Sequence, residues 1–519
     1  MLQAAQVSSV VAACLGSGEE AWLVGGAVRD GLLGRPSKDL DYAVRGDARR
    51  LAQRVADLLG GAFFTFSEAF STYRVVLPGG LVDFAPLRGA TIDRDLAARD
   101  FTVDAMALPA RGGDPGARMG IGKVIDPLGG AADLAARRLV ACGPRALHDD
   151  PLRVLRLARL AAAFDLRPTE ELTEAARAAA SALKTVSGER VCAELTALLG
   201  LPAAARGLRL LDRAGALEQV LPEVTALRGV EQNPFHHLDV FGHTLEAVEL
   251  LPQVVDQFGG QRFLAAPEAC GLPGAAPLAP LAYAALFHDL GKPGVRQISE
   301  DGRVMFWHHD ELGAQMVHDI AARLKMSCRF QDYLALLIST HLRLGFLVRE
   351  VPLTLRALVR FRRAVEPYVF ESVVLSLADR LATRGEKTSA VSMARHYRLA
   401  RVVWLQIPKQ DRAPLLDGDE AMSLLGLAPG PLVGEALRAL QEETDALEVT
   451  TKDQARDFLL QWRDRRAASG KGEPTTSGDG QPTTTSAGCE PAQACDGGSV
   501  TSKAQDLANA HRPSGGDRA

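Results

Sequence analysis

Two aspartates separated by one residue, Asp39 and Asp41, are the side chains of this sequence best suited to metal-dependent chemistry. They open the segment Asp39–Val44, which has the composition of a β-strand. Side chains alternate along a strand, so both carboxylates lie on one face. Adjacent carboxylates repel each other, and divalent cations bound between them best explain such a pair. An isolated pair of this kind is more often two solvated turn residues, so the interpretation depends on the preceding segment.

That segment has the pattern strand, glycine turn, helix. The apolar run Trp22–Val24 stops at Gly25 and Gly26, and a helix-like stretch follows over Ala27–Leu33. Glycine lets the backbone approach a ligand closely, and the N–H groups at a helix start bind anions. We therefore expect Gly25, Gly26 and Arg29 to hold a triphosphate. Together with the two aspartates, this predicts phosphoryl transfer from a nucleotide with two divalent cations.

A β-hairpin is predicted downstream, where Gly79 and Gly80 join the alternating segments Thr72–Leu77 and Leu81–Phe84. Asp83 is the one acidic residue of the second arm. It is either a third catalytic carboxylate beside the first two or a turn residue at the strand end, and the sequence leaves both interpretations open.

Five motifs in a fixed order resemble the bacterial tRNA nucleotidyltransferase and poly(A) polymerase family. They are Gly25–Asp30, Asp39–Asp41, Arg99–Ala107, Asp126–Gly130 and Asp149–Arg156. The resemblance implies a nucleotidyltransferase head, a helical neck, and helical body and tail domains that hold the 3′ end of tRNA. It also implies CTP and ATP as substrates and Mg²⁺ as the cofactor at the head. Arg99 and Asp100 would then bind near the ribose and phosphates.

A polar strip at the start of a neck helix is predicted to select the base. Asp150, Arg153 and Arg156 are three residues apart, and residues at that spacing are neighbours on a helix. A carboxylate with a guanidinium matches the donor and acceptor of cytosine and adenine and mismatches guanine and uracil. The family's corresponding residues have this templating role, although its usual glutamate is Asp149 here. The structural alternative is that Asp150 caps the helix before Pro151.

A second centre is predicted from histidines and aspartates in the C-terminal half. Imidazoles with carboxylates on helices suit a transition metal such as Mn²⁺, Ni²⁺, Co²⁺ or Fe²⁺. The pattern resembles the HD-domain metal-dependent phosphohydrolases, and the resemblance implies two sets of ligands. The primary set is His243, His288, Asp289 and Asp379, and the second-metal set is His309 and His341. Whether the site binds one metal or two is left open, and any single histidine could instead be a core or surface residue.

Composition restricts the class of protein. The 519 residues with a net charge of −4 suggest about three globular domains and require any RNA-binding charge to be local. A basic series over Arg343–Arg363 is either such a phosphate-binding surface or the solvated side of an amphipathic helix. The seven scattered cysteines argue against a zinc ribbon or a disulfide framework. Without an apolar run long enough for a membrane span or a basic signal-peptide flank, we expect a cytoplasmic protein with no membrane partner.

The expected fold class is α+β, with a small mixed sheet and helices in the head followed by all-α domains. The predicted divisions are a head over 1–135, a neck binding RNA and the nucleotide base over 136–225, an HD domain over 226–390, a helical tail over 391–466, and a disordered tail over 467–519.

The predicted function is addition of C, A or both to the 3′ end of tRNA. The link Phe84–Ala98 is shorter than the flexible loop of CCA-adding members, which favours CC addition. Three alternatives remain: a poly(A) polymerase, a PII-type protein uridylyltransferase, and an HD phosphohydrolase whose head is an inactive RNA-binding platform. The HD module argues against the first, the absence of C-terminal β/α repeats against the second, and the intact Asp39 and Asp41 against the third.

Overall fold

The structure is a computed structural model that describes residues 4–37, 39–68, 71–111, 124–348, 352–405 and 413–468. A sheet-containing N-terminal head is followed by helices, which confirms the predicted α+β class. The predicted disordered tail lies outside the described residues from position 469 onward, and positions 467 and 468 belong to a helix. None of the described helices is long and apolar enough to cross a membrane.

The head is built on a six-stranded sheet with the order β3-β4-β5-β2-β1-β6. Only the β2–β5 pair is parallel. The strands are β1 (Glu20–Val24), β2 (Asp39–Arg45), β3 (Ala62–Ser67), β4 (Thr72–Leu77), β5 (Gly80–Pro86) and β6 (Ala107–Pro109). The four head helices are α1 (Ala4–Cys14), α2 (Gly26–Leu32), α3 (Ala48–Leu59) and α4 (Ile92–Ala97).

One face of this sheet carries the head core. Leu40, Tyr42 and Val44 alternate along β2 and are buried together with residues of α1 and α3. Helix α3 is delimited locally, because the Asp47 carboxylate accepts from the Arg50 N–H and Gly60 closes the helix at a φ of 65°. The predicted hairpin is confirmed as β4 and β5, with Leu77 paired to Gly80.

The opposite face of the sheet is only partly covered. Trp22, Val24 and Ala43 pack there against Ile92 and Leu96 of α4. The strand positions nearer the β3 edge stay open, and Asp39, Asp41, Arg74 and Asp83 project from them. This open part of the face is where the sheet presents its charged side chains.

The helices after the head form a continuous body. They are α5 (Gly130–Ala135), α6 (Ala146–Asp149), α7 (Arg153–Phe164), α8 (Glu170–Ala179), α9 (Gly188–Leu199), α10 (Ala204–Arg213), α11 (Ala216–Val220), α12 (Pro222–Thr225), α13 (Val240–Gln257), α14 (Ala279–Phe287), α15 (Lys292–Val295), α16 (His309–Arg323), α17 (Cys328–Thr340), α18 (Arg343–Leu347), α19 (Leu355–Val365), α20 (Val369–Leu381) and α21 (Ala390–Leu405). Two-stranded ribbons join them, formed by β7 (Arg138–Leu139) with β8 (Arg167–Pro168) and β9 (Gln297–Ile298) with β10 (Val304–Met305).

The predicted neck and HD domains share one hydrophobic core. A single cluster of buried apolar side chains extends from Phe101 through the neck helices to Val403 of α21. The core therefore does not divide at position 225, and α21 belongs to it rather than to a separate tail. The predicted domain boundaries within this body remain predictions.

The last three helices have a small core of their own. They are α22 (Gly418–Leu425), α23 (Pro431–Asp445) and α24 (Lys452–Ala468). Helix α23 meets α19 through ion pairs of Arg356 with Glu443, Arg360 with Glu442, and Arg363 with Asp445.

The arginines of the basic series on α19 therefore contact acidic side chains within the same chain. Its arginines at 356, 360 and 363 have acidic partners on α23, and Arg362 pairs with Glu366. The side chains of Arg356 and Arg360 remain 43% and 60% exposed, so a phosphate-binding role for this face stays a prediction. Arg349 of the same series lies outside the described residues.

Candidate active sites

A row of charged side chains crosses the open face of the head sheet. Asp41 of β2 is in register with Asp83 of β5, and Asp83 is in register with Arg74 of β4. Both oxygens of Asp83 accept from Arg74, with Nε–Oδ1 and Nη2–Oδ2 distances of 2.7 Å. The structure thus brings Asp83 beside Asp39 and Asp41, but both oxygens of the Asp83 carboxylate already accept hydrogen bonds from Arg74. Its role as a metal ligand stays a prediction.

The pKa of the Asp41 carboxyl group is raised by its surroundings. Loss of bulk water around it, followed by repulsion from Asp83, raises the pKa of Asp41 to about 6, with Arg99 opposing the shift and Asp39 adding to it. A cation between Asp39 and Asp41 would relieve that repulsion, so the donor set fits Mg²⁺.

The glycine turn lies against this row. Gly25 has a φ of 72°, and a Cβ built there would lie 3.1 Å from Arg99 Nη1 and 3.9 Å from Asp41 Oδ2. Gly26 is the first residue of α2. The left-handed conformation and the narrow space both favour glycine at position 25, where the backbone comes close to a carboxylate and a guanidinium.

Arg29 faces inward from α2. Its guanidinium pairs with Asp30 at 2.9 Å and with Asp104, and it lies 3.9 Å above the ring of Phe164 at the end of α7. With an exposed fraction of only 7%, the residue joins the head to the neck. The predicted contact of Arg29 with a triphosphate stays a prediction, and the structure gives this side chain a positioning role.

Ion pairs of Arg99 and Arg156 fix the start of the Arg99–Ala107 segment, and the Arg156 pair connects that segment to the neck. Arg99 follows α4 in the chain and donates to Asp95 Oδ2 on that helix at 3.0 and 3.1 Å. Asp100 Oδ2 accepts from Arg156 Nε at 2.7 Å, and Arg156 also approaches Glu194 at 3.6 Å. The paired guanidinium overcomes the cost of burial and lowers the pKa of Asp100.

The predicted strip of Asp150, Arg153 and Arg156 is not a single cluster. Helix α7 begins at Arg153 with Leu152 as its N-cap and no capping side chain, so Asp150 is not the cap that the structural alternative expected. Its carboxylate accepts from the Leu152 N–H at 3.2 Å in the preceding turn and pairs with Arg190 of α9 at 2.7 Å.

Arg153 instead turns toward the head. Its guanidinium donates to the carbonyls of Ala146, Ala98 and Arg99 at 3.0, 3.3 and 3.5 Å. The three residues therefore belong to three separate contacts, and their role in base selection stays a prediction.

All six residues predicted for the second centre come together in the helical body. Two groups have ligand atoms within 4.8 Å of one another, one made of His243, His288 and Asp379 and the other of Asp289, His309 and His341. The groups adjoin, since His288 Nε2 lies 3.1 Å from Asp289 Oδ2 and 3.8 Å from Asp379 Oδ1. The sequence prediction that these positions converge is confirmed geometrically.

The imidazoles are oriented as metal ligands require. Each of the four donates its Nδ1–H to a backbone carbonyl, namely His243 to Ala382 at 3.3 Å, His288 to Ala285 at 2.8 Å, His309 to Phe306 at 2.7 Å and His341 to Ile338 at 2.6 Å. The Nε2 atoms consequently face the centre, where those of His309 and His341 are 3.4 Å apart. His288 Nε2 is buried with no hydrogen-bond partner among the described residues. This donor set fits two transition-metal ions.

A cavity of about 640 Å³ opens onto these ligands. Lys292 lies in its wall, with Nζ 2.7 Å from both Asp289 Oδ2 and Gln232 Oε1. His236 also lines it, and its ring is edge-on to His243 with centroids 5.0 Å apart. The ligands therefore border a space large enough for a small organic substrate.

Sequence reasoning did not assign several residues of the two sites. At the head these are Arg74 and Asp104, and in the body they are Lys292 and His236. Asp104 lies inside the Arg99–Ala107 motif and Lys292 closely follows the predicted ligands His288 and Asp289, so the sequence position of both was a usable signal. Nothing local distinguishes Arg74, whose importance depends on strand register.

Models of three protein families match successive parts of the chain. They are described as the poly A polymerase head domain over residues 21–140, the probable RNA and SrmB-binding site of polymerase A over 165–227, and the HD domain over 240–384.

Two similar proteins match nearly the whole described chain. The CC-adding tRNA nucleotidyltransferase of Thermus thermophilus is 38% identical over 464 residues, which cover 88% of this chain and 96% of that protein. The A-adding tRNA nucleotidyltransferase of Deinococcus radiodurans is 38% identical over 460 residues, covering 86% and 96%.

Solved structures share the fold. A CCA-adding enzyme in complex with ATP has a TM-score of 0.59 at 18% identity, with 88% of this chain and 95% of that chain covered. The Thermotoga maritima CCA-adding enzyme complexed with tRNA has a TM-score of 0.55 at 18% identity, covering 88% and 94%. Identities this low support the fold alone.

Proposed function

This chain belongs to the tRNA nucleotidyltransferase family, and from that premise we propose that it adds C, A or both to the 3′ end of tRNA, using CTP and ATP. The observation that carries the proposal is the register of Asp41 with Asp83 on an open sheet face beside the Gly25 turn. Carboxylates crowded next to a backbone cradle suit a triphosphate with divalent cations. The CCA-adding relatives of known structure have been solved with ATP, CTP and tRNA, and these are the ligands we propose here.

Asp39 and Asp41 would hold Mg²⁺ at the head. When bound, such cations activate an attacking hydroxyl and neutralise the leaving pyrophosphate. The backbone of Gly25 and Gly26 would hold the phosphates, and Arg99, just after α4, would add positive charge. Asp83 fixes Arg74 beside the acids, which limits how far their negative charge builds up.

Arg29 and Asp100 act mainly by positioning in this scheme. Arg29 ties α2 to Asp104 and to Phe164 of the neck, while Asp100 ties the next motif to Arg156. Head and neck are thereby held around the nucleotide. Ribose and phosphate contacts by Asp100 remain part of the proposal.

Asp150 and Arg153 would select the base from the neck side. Arg153 reaches the carbonyls that precede Asp100, and Asp150 is held by Arg190. A fixed carboxylate and a fixed guanidinium can reject a base whose donors and acceptors are reversed, since the mismatched groups would lose their partners. Arg156 forms an ion pair with Asp100 and would position this pair indirectly, without contacting the base.

The product is proposed to be CC. The two similar proteins have equal identity and different products, so similarity does not separate CC from A addition. The link Phe84–Ala98 contains the short helix α4, capped by Thr91 and packed through Ile92 and Leu96. A packed link of this kind favours a pocket that keeps one base preference.

Purified protein incubated with tRNAs ending at the discriminator base, at C and at CC, with CTP and ATP supplied separately, tests this function. We expect CTP to extend the first two acceptors. No extension of any of the three would refute nucleotide addition to tRNA. A-only synthesis of long homopolymers would instead identify a poly(A) polymerase.

A second activity is favoured by the six-residue cluster in the body. We propose that it binds two transition-metal ions and hydrolyses a phosphate ester in the adjoining cavity. When bound, such ions polarise the phosphate and supply a nucleophilic hydroxide. Lys292 is placed to neutralise charge at Asp289 and at a bound phosphate. Metal analysis together with hydrolysis of p-nitrophenyl phosphate and its diester tests the proposal, and protein free of metal after loading with Mn²⁺ or Ni²⁺ would refute it.

A further inference from the structure

An exposed aromatic surface lies at the edge of the catalytic sheet. Strand β3 is the outermost strand on that side, and its Phe64 and Phe66 have exposed fractions of 42% and 53%. Arg74 of the neighbouring strand lies with its guanidinium carbon 3.7 Å above the Phe66 ring. We call Phe64, Phe66 and Arg74 the aromatic platform.

The platform is continuous with the catalytic acids. Residues paired across neighbouring strands project from the same face of a sheet. Phe64 pairs with Arg74, Arg74 with Asp83, and Asp83 with Asp41. One cross-strand row therefore runs from the edge aromatics to the proposed metal ligand, over roughly 14 Å at strand spacing.

Among the described residues, packing covers these two rings only in part, with Arg74 against Phe66. Phe63, which points to the other side of β3, packs on Tyr73 and against the head core. Phe64 and Phe66 belong to neither of the head's two buried clusters. Exposed aromatic side chains at a sheet edge favour aggregation with other chains. Where such a patch is present, it commonly marks a binding site.

The in-line geometry of phosphoryl transfer places the nucleotide and the acceptor RNA on opposite sides of the proposed site. In phosphoryl transfer the attacking oxygen and the leaving group are roughly in line. The proposed pyrophosphate side is the Gly25 turn at the end of β1, and β1 flanks β2 opposite β5. The attacking hydroxyl must then approach from the β5, β4 and β3 side, where the platform lies.

We propose that the aromatic platform is the subsite for the last bases of the acceptor RNA, which stack on Phe64, Phe66 and the Arg74 guanidinium while the 3′-hydroxyl reaches Asp41. Base stacking on aromatic rings tolerates any sequence, as a tRNA acceptor end requires. The row spans a few nucleotides stacked at about 3.4 Å each. This inference rests on the proposed function, because it names the binding site of that reaction's second substrate.

The test is the steady-state kinetics of the Phe64→Ala/Phe66→Ala variant of the full chain. With tRNA ending at the discriminator base and saturating CTP, we expect the KM for tRNA to rise at least about fivefold, the lower limit for losing one stacked base. The KM for CTP and kcat at saturating tRNA should stay within about twofold of wild type, because neither ring contacts the proposed nucleotide site.

Matched variants separate stacking from general effects. Phe64→Leu/Phe66→Leu retains apolar area without a flat ring and should behave like the alanine pair, whereas Phe64→Tyr/Phe66→Tyr should behave like wild type. Leu58→Ala removes another exposed apolar side chain, on α3 behind the sheet, and should leave all constants unchanged. An unchanged KM for tRNA in the alanine pair would overturn the inference, as would full activity of the leucine pair.

Two further outcomes are distinguishable. If wild-type protein extends no tRNA, the proposed function itself fails, whatever the platform variants do. If the alanine pair changes the sedimentation of the protein but not its KM for tRNA, the platform is an interface between copies of this chain, and the acceptor assignment is wrong.

Discussion

Charge crowding at single residues gives the head its chemistry. Asp41 is in register with Asp83, and Asp83 forms an ion pair with Arg74. The pKa of Asp41 is raised to about 6, so a nearby cation would stabilise its charged form. A surface pair of aspartates without this context would simply be hydrated. The structure therefore adds a raised pKa at Asp41 to the spacing of the two aspartates, and a cation bound there would relieve the repulsion that contributes to it.

Removing that carboxylate should stop chemistry and spare binding. We expect Asp41→Ala to lower the rate of nucleotide addition by at least about a hundredfold. The Kd for tRNA should change little, because metal ligands serve the reaction and basic side chains serve RNA binding. The exposed Asp57→Ala on α3 is the matched control, and wild-type incorporation by the Asp41 variant would contradict the assignment.

The pKa of Asp41 gives the head a pH dependence with a definite sign. Because the pKa of this acid is raised to about 6, it holds a proton below that pH and loses metal affinity there. At limiting Mg²⁺ we expect nucleotide addition to fall as pH drops through about 6, and excess Mg²⁺ to move the midpoint lower. Rates measured between pH 5 and 8 at two Mg²⁺ concentrations test this, and a profile that does not respond to Mg²⁺ would count against it.

Base choice should respond to the neck pair. Exchanging Asp150→Arg and Arg153→Asp reverses donor and acceptor, so the ratio of kcat/KM for CTP over UTP should fall at least about tenfold. The control Arg190→Ala removes the partner of Asp150 but keeps the carboxylate, and it should slow the enzyme with its preference intact. Slower addition at an unchanged C/A preference in the exchanged variant would show that Asp150 and Arg153 do not select the base.

At the scale of elements, local patterns predicted what local interactions determine. The β4–β5 hairpin follows from alternation and a glycine turn, and β1, α2 and β2 follow from the Gly25 region. Contacts between elements were not predictable. Arg156 meets Asp100 across 56 positions, and α19 finds its acidic partners on α23, because such pairings depend on how helices pack and not on sequence spacing. The HD ligands were an exception, since their motif specifies a known arrangement.

The metal cluster should be separable from nucleotide addition in function. We expect His288→Ala to lose bound transition metal and phosphohydrolase activity while tRNA extension remains. His288 is fully buried in the core that the neck shares, so a lower Tm is also expected, by several degrees. The exposed His318→Ala controls for loss of an imidazole. Equal metal content in the His288 variant and wild type would show that the cluster binds none.

At the scale of the whole molecule, one buried core joins the neck helices to the six-residue cluster. It extends from Phe101 to Val403, while α22–α24 have a separate core joined to α19 by ion pairs. The neck and HD segments therefore share a core, and the domain boundaries between them remain predictions. Composition and motifs predicted the order of the parts but not this sharing, because a shared core is visible only when helices distant in sequence pack together.

The central claim is tested most directly by the intact mass of the tRNA product. Wild-type protein is incubated with Mg²⁺, CTP and ATP together and a tRNA ending at the discriminator base. We expect the tRNA to gain the mass of two cytidylates and no further nucleotide. An unchanged tRNA would contradict nucleotide addition altogether, and a further adenylate, added efficiently to a tRNA already ending in CC, would contradict the proposed CC product.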